Sequence, residues 1–177
     1  MNAESIRAFL LTLPHVVETR QWGDNLLFWV GDKAIGGKMF ALVDLDKTSF
    51  EGLIAYPTHP ERFAELVEIE GIAPAKYLAR LSWVSVERWD VFRTSEWQDE
   101  LRTAHTLKLE KLPPKVRAIL ALPAKEQKRH VAEGRKRVAE WEAKEVIRKA
   151  AKKKAGEEAR KVPLKTVRKP AKKRSAK

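Results

Sequence analysis

The stretch Gly31 to Met39 holds the glycines and the lysine that a phosphate-cradling loop uses. Such a loop needs a glycine, four residues, Gly-Lys and then a hydroxyl, so that backbone N–H groups surround the phosphate and the hydroxyl meets its metal. Gly37-Lys38 would require glycine at 32 and serine or threonine at 39, where Asp32 and Met39 stand. A hairpin turn at Gly31-Asp32, followed by a bulge or close backbone approach at Gly36-Gly37, is the expectation instead. His15, His59, His105 and His130 are scattered, with no i, i+4 pair to hold a metal. Asp24, Asp44 and Asp46 fall in turns, where aspartate serves local hydrogen bonds. Ser82, Ser85 and Ser95 lack the Gly-x-Ser-x-Gly context of an activated nucleophile. The expectation is a non-enzymatic protein with no cofactor and no metal.

The remaining chemistry is that of charge and aromatic rings. The formal net charge is +12, and residues 148–177 hold 14 Lys/Arg against only Glu157 and Glu158. Residues 1–122 hold 15 basic and 17 acidic residues, a balance that does not itself suggest a nucleic-acid reader. Six tryptophans stand at 22, 29, 83, 89, 97 and 141. Aromatic rings beside cations can stack on bases. Trp29 and Trp97 read as packing, whereas Trp22, Trp83 and Trp89 stay open between the two roles.

The elements that must carry these residues follow from periodicity. Asn2 caps a helix with Ile6, Phe9, Leu10 and Leu13 on one face. Leu26–Val30, Ala34–Leu45 and Phe50–Tyr56 form an antiparallel meander, with His15–Gln21 a connection or short edge strand before it. Thr58 with Glu61 has capping-box spacing for a helix burying Phe63, Leu66 and Val67. Pro74–Leu81 offers Tyr77, Leu78 and Leu81 to the core. Ser82–Arg88 is a strand with Val84 and Val86 on one side, and Trp89–Phe92 extends it or forms a fifth. Ser95 and Gln98 cap a helix showing Trp97, Leu101, Ala104 and then Leu107 or Lys108. Lys115–Leu122 is a short helical piece. The result is a two-layer α+β sandwich over 1–122 with an antiparallel sheet. Residues 123–151 form a solvated helix with i, i+4 acid–base pairs (Glu126/His130, Glu133/Arg137, Glu140/Lys144, Glu145/Lys149), weakened by Gly134 at roughly 1 kcal/mol. Residues 152–177 form a basic tail expected to be disordered alone.

The order of these pieces resembles a known family. A short amphipathic helix precedes Leu-Pro-His-Val-Val-Glu-Thr at 13–19, Trp-Gly-Asp at 22–24, Phe-Trp-Val-Gly-Asp-Lys at 28–33 and Gly-Lys-Met-Phe-Ala-Leu at 37–42. Gly71–Glu87, a helix and Lys-Leu-Pro-Pro at 111–114 follow. Over about residues 1–117 this is similar to the MmcQ/YjbR family of small bacterial proteins. The resemblance implies a fold related to secretion chaperones and frataxin-like domains, and DNA binding through a double wing of hairpin loops. The wing tips would be Gly31–Lys33 and Asp44–Thr48, each with one lysine against one or two aspartates. That is a departure from basic tips that would meet phosphates.

The expected partner is double-stranded DNA, bound with little sequence preference. On the domain the candidates are Lys33, Lys38, Lys47, Lys76 and Arg80. In the tail they are Lys152, Lys153, Lys154, Arg160, Lys161, Lys165, Arg168, Lys169, Lys172, Lys173, Arg174 and Lys177, in pieces similar to linker-histone tails. The alternative is a partner-protein or small-ligand module whose tail only solubilises it. The absence of cysteine fits a reducing compartment. No signal peptide pattern and no run of about 18 apolar residues is present, so a cytoplasmic, nucleoid-associated protein without a membrane span is expected.

Overall fold

The computed structural model describes residues 1–45 and 52–161, with side chains described as far as Lys153. Helix α1, Ala3–Thr12, starts where the Asn2 side chain accepts the Ser5 N–H at 2.8 Å, and it buries Ile6 and Leu10 completely. Strands β1 (Val16–Gln21), β2 (Asn25–Val30), β3 (Lys38–Asp44) and β4 (Ile54–Pro57) follow as an antiparallel meander. Helix α2, Pro60–Leu66, then leads to β5 (Ile72–Pro74) and β6 (Trp83–Val86). Helices α3 (Thr94–Glu110), α4 (Pro114–Leu120) and α5 (Ala124–Lys161) complete the chain. The six strands form one antiparallel sheet in the order β1-β2-β3-β4-β6-β5.

Alternation puts Phe28, Val30, Tyr56, Val84 and Val86 on one face, where they meet Ile6 and Leu10 of α1 and Trp97, Leu101 and Ala104 of α3. That is the main core of the two-layer α+β fold. A smaller cluster of Ala55, Ala75 and Trp83, with Met39 and Leu78 against it, lies apart from it.

Several local expectations change. The β2–β3 connection spans residues 31–37 rather than two residues. Asp32 accepts the Ala34 N–H at 2.8 Å and starts a single 3₁₀ turn, Lys33–Ile35, which Gly36 closes at φ 97°. The close approach is real: a Cβ at Gly37 would lie 2.0 Å from the Gly31 carbonyl oxygen. The bulge sits further along, since Phe28 faces Ala41 and Trp29 faces Met39, leaving Phe40 as the extra residue. Thr58 does not cap α2. His59 holds that position without a side-chain bond, Pro60 opens the helix, and the Thr58 hydroxyl is buried. The cap of α3 is the Glu96 carboxylate accepting the Arg93 N–H at 2.7 Å, not Ser95 with Gln98. The extra strand is β5, which pairs with β6 ahead of it, and 89–92 is not a strand.

The chain divides into two compact units at Arg135 and Lys136, inside α5. Within the first unit, Arg135 binds Asp32 at 2.7 Å, and a Cβ at Gly134 would lie 2.4 Å from the Ala34 carbonyl oxygen. The first turns of α5 are therefore packed on the β2–β3 connection. In the second unit the helix continues to Lys161, ten residues past the end expected from sequence. The helix pairs also differ: Glu133 faces Arg129 at 3.9 Å, and Glu145 binds Arg148 at 2.7 Å.

Candidate nucleic-acid interface

Strand direction sorts the charges. β3 and β6 both run antiparallel to β4, so both begin at the same end of the sheet. The β2–β3 connection with Lys33, the start of β3 with Lys38, and the β5–β6 connection with Lys76 and Arg80 all lie there. The last turn of α3 reaches the same end, where the Lys108 ammonium lies 5.3 Å from the centroid of the Trp83 ring. Four of the five domain candidates thus come together, although they are spread over 48 residues of sequence. The opposite end carries the Arg20–Asp24 pair, Glu70 and Asp90 around Arg88, and the exposed Glu68 and Glu87.

At the basic end three lysines converge. Lys108 is half-buried, and burial, then Lys111 and Lys38, hold its ammonium below the usual lysine range. None of the three has a carboxylate partner among the described residues. The C-terminal end of a helix favours cations, which accounts for Lys108 in the last turn of α3 and Lys111 directly after it. It does not account for Lys38 joining them from a strand, since like charges repel. The exposed carboxylates at this end are Glu61 and Glu110, with Glu126 and Glu133 on the first turns of α5 packed against the β2–β3 connection. Asp32 is buried and committed to Arg135, so it does not neutralise the neighbouring Lys33. Elsewhere in the first unit several arginines are paired: Arg7 with Glu18, Arg62 with Glu65 and Glu100, Arg102 with Asp99.

The aromatic roles separate. Trp83 is buried at 2% exposure, so it packs, and Trp89 is half-buried with its ring 5.9 Å from that of Trp97. Trp22 is 57% exposed in the β1–β2 turn, at the other end of the sheet. Tyr77 and Leu81, expected in the core, are exposed at 80% and 64%. Of the two hairpin tips expected as wings, Gly31–Lys33 adjoins the start of β3, while residues 46–48 of the second lie outside the described residues. Lys47 is outside the described residues.

Lys152 and Lys153 are exposed on α5, and Lys154, Arg160 and Lys161 belong to its backbone. Lys165, Arg168, Lys169, Lys172, Lys173, Arg174 and Lys177 lie outside the described residues. Sequence reading missed Lys108 and Lys111, whose only signal was i, i+3 spacing before Pro113-Pro114. Clefts of about 420 and 430 Å³ lie along the first turns of α5, beside Gln127 and Arg135 and beside Lys125 and Arg129, and smaller ones of about 290 and 220 Å³ lie beside His59 and Glu110 and beside His15 and Leu120. Among the described residues no three His, Asp or Glu side chains are grouped to hold a metal.

The family model described as YjbR matches residues 11–107. The chain belongs to the YjbR family. A crystal structure of the Deinococcus radiodurans protein DR2400, a DUF419 domain, is similar with a TM-score of 0.59 at 28% identity, covering 69% of this chain and 89% of that one. No curated protein matches the chain. The family resemblance read from spacing therefore holds. The matched segment ends just before Lys108, and residues 108–153 carry 15 basic against 6 acidic residues. The basic character of this YjbR-family chain thus lies mostly beyond the matched residues. No helix among the described residues is long and apolar enough to cross a membrane.

Proposed function

We propose that this YjbR-family protein is a non-enzymatic DNA-binding protein of low sequence preference, acting in the cytoplasm at the nucleoid. The observation that carries the reading is the basic end of the sheet, where Lys33, Lys38, Arg80, Lys108 and Lys111 gather with no carboxylate partner among the described residues. Lysines on phosphates release condensed counterions and give affinity without reading base edges. The C-terminal cations add to this by number, not by geometry, and supply most of the affinity. Wing-like hairpins are not needed for it.

The test is duplex binding against salt concentration for the full chain and for a chain ending at residue 147. If roughly 8 of the 14 cations in 148–177 touch phosphates, they contribute about −7 to the log–log slope of the full chain, from about −0.9 per contact. Truncation then removes most of the affinity and most of the slope. Equal binding by the shortened chain returns the affinity to the folded domain, and no binding by either refutes the function. Binding that depends on anionic vesicles and not on DNA would favour a membrane-surface tail.

A further inference from the structure

The β5–β6 connection presents an aromatic ring to solvent at the basic end of the sheet. Tyr77 is 80% exposed, and its φ of 65° lies in the left-handed region, which a bulky side chain adopts at a cost. The core gains nothing from this placement. Leu78 is the neighbour that turns inward, against Ala55, Ala75 and Trp83, while Leu81 stays 64% exposed beside the ring's own loop. The Lys76 ammonium lies 5.9 Å from the Tyr77 centroid, and Arg80 is exposed on the 3₁₀ turn that follows. A ring held outward, with cations before and after it, has the parts that single-strand binders use: a flat face for a base and charges for the phosphates on either side. A duplex keeps its base faces stacked, so such a ring has nothing to meet there.

We propose that Tyr77 is a stacking platform for an unpaired base of DNA, with Lys76 and Arg80 beside it to take the flanking phosphates. This rests on the DNA-binding function above and adds a preference for single strands at one defined place. The phenol hydroxyl has no part in stacking, so Tyr77→Phe keeps the contact. Tyr77→Asn removes the ring and keeps a residue that tolerates the left-handed backbone.

The experiment measures fluorescence anisotropy of the full chain with labelled oligothymidine and with a duplex of equal length, and thermal melting verifies folding of each variant. Tyr77→Asn and Tyr77→Ala are expected to weaken oligothymidine binding by about 5- to 100-fold, the range for one stacked base, with duplex binding unchanged and Tyr77→Phe like the wild type. Wild-type affinity in Tyr77→Asn, equal loss on both ligands, or a wild-type chain that binds duplex alone each overturns the platform while the DNA-binding function stands. A wild-type chain that binds neither ligand overturns both.

Discussion

Gly134→Ala tests how α5 is held, because two effects of opposite sign meet there. In an exposed helix, replacing glycine by alanine stabilises by about 0.5–1 kcal/mol, since alanine loses less chain freedom on folding. At position 134 the new methyl would sit 2.4 Å from the Ala34 carbonyl oxygen, 2.9 Å from its carbon and 3.3 Å from its Cβ. Backbone cannot swing aside as a side-chain tip would. The helix must back away from the β2–β3 connection, stretching the 2.7 Å Arg135–Asp32 pair and leaving Asp32 buried without its cation. Overpacking of this kind costs about 1–3 kcal/mol, which exceeds the propensity gain. The expected net effect is a loss of about 1–2 kcal/mol, or roughly 2–6 °C in melting temperature for a unit of this size. Urea denaturation followed by circular dichroism measures it, with Ala132→Gly on the exposed side of the same turn as the propensity control. A Gly134→Ala variant more stable than the wild type by about 1 kcal/mol would show that the helix and Ala34 are not in contact, and the reasoning would fail.

His105 gives a pH dependence. Burial, outweighing its bond to the Pro14 carbonyl oxygen at 2.9 Å, holds its ring below the ordinary histidine range. The unfolded chain therefore takes up the proton first, so the full contribution to stability is present above about pH 6.5 and declines as pH falls below it. The denaturation midpoint should drop between pH 7.5 and 5.5 in the wild type and drop less in His105→Gln; an equal drop would exclude this histidine. Replacing Lys38, Lys108 and Lys111 together by glutamine should make the salt slope of duplex binding shallower by about 2–3 units, at about 0.9 per phosphate lost. Because that change also relieves repulsion, the variant should melt no lower than the wild type. The same loss from replacing Lys115, Lys125 and Lys128 would mean that net charge matters and the cluster does not.

Periodicity was reliable where a side chain's fate depends on its own element. Ile6 and Leu10, Leu27 with Phe28 and Val30, Val84 with Val86, Trp97 with Leu101 and Ala104, and Val116 with Ile119 are buried as their spacing predicts. Each lies on an element long enough for a period of 2 or 3.6 to repeat. Strand β5 has three residues and shows no repeat, so only its pairing with β6 reveals it. Tyr77 and Leu81 have apolar side chains, but a left-handed turn at residue 77 reversed the expected direction of the loop. Gly134 weakens an isolated helix, and only the carbonyl of Ala34 against it explains why glycine stands there.

The sequence by itself determined the family, the α+β class and the basic C-terminal segment, because order, periodicity and composition are properties of the chain. The tertiary structure alone decided where the domain's charge lies. A count over residues 1–122 averages 15 cations against 17 anions. Antiparallel strands return the chain to the same end every second crossing. Lys33, Lys38, Lys76, Arg80, Lys108 and Lys111 therefore collect at one end, and many of the acids that balance them in the count collect at the other.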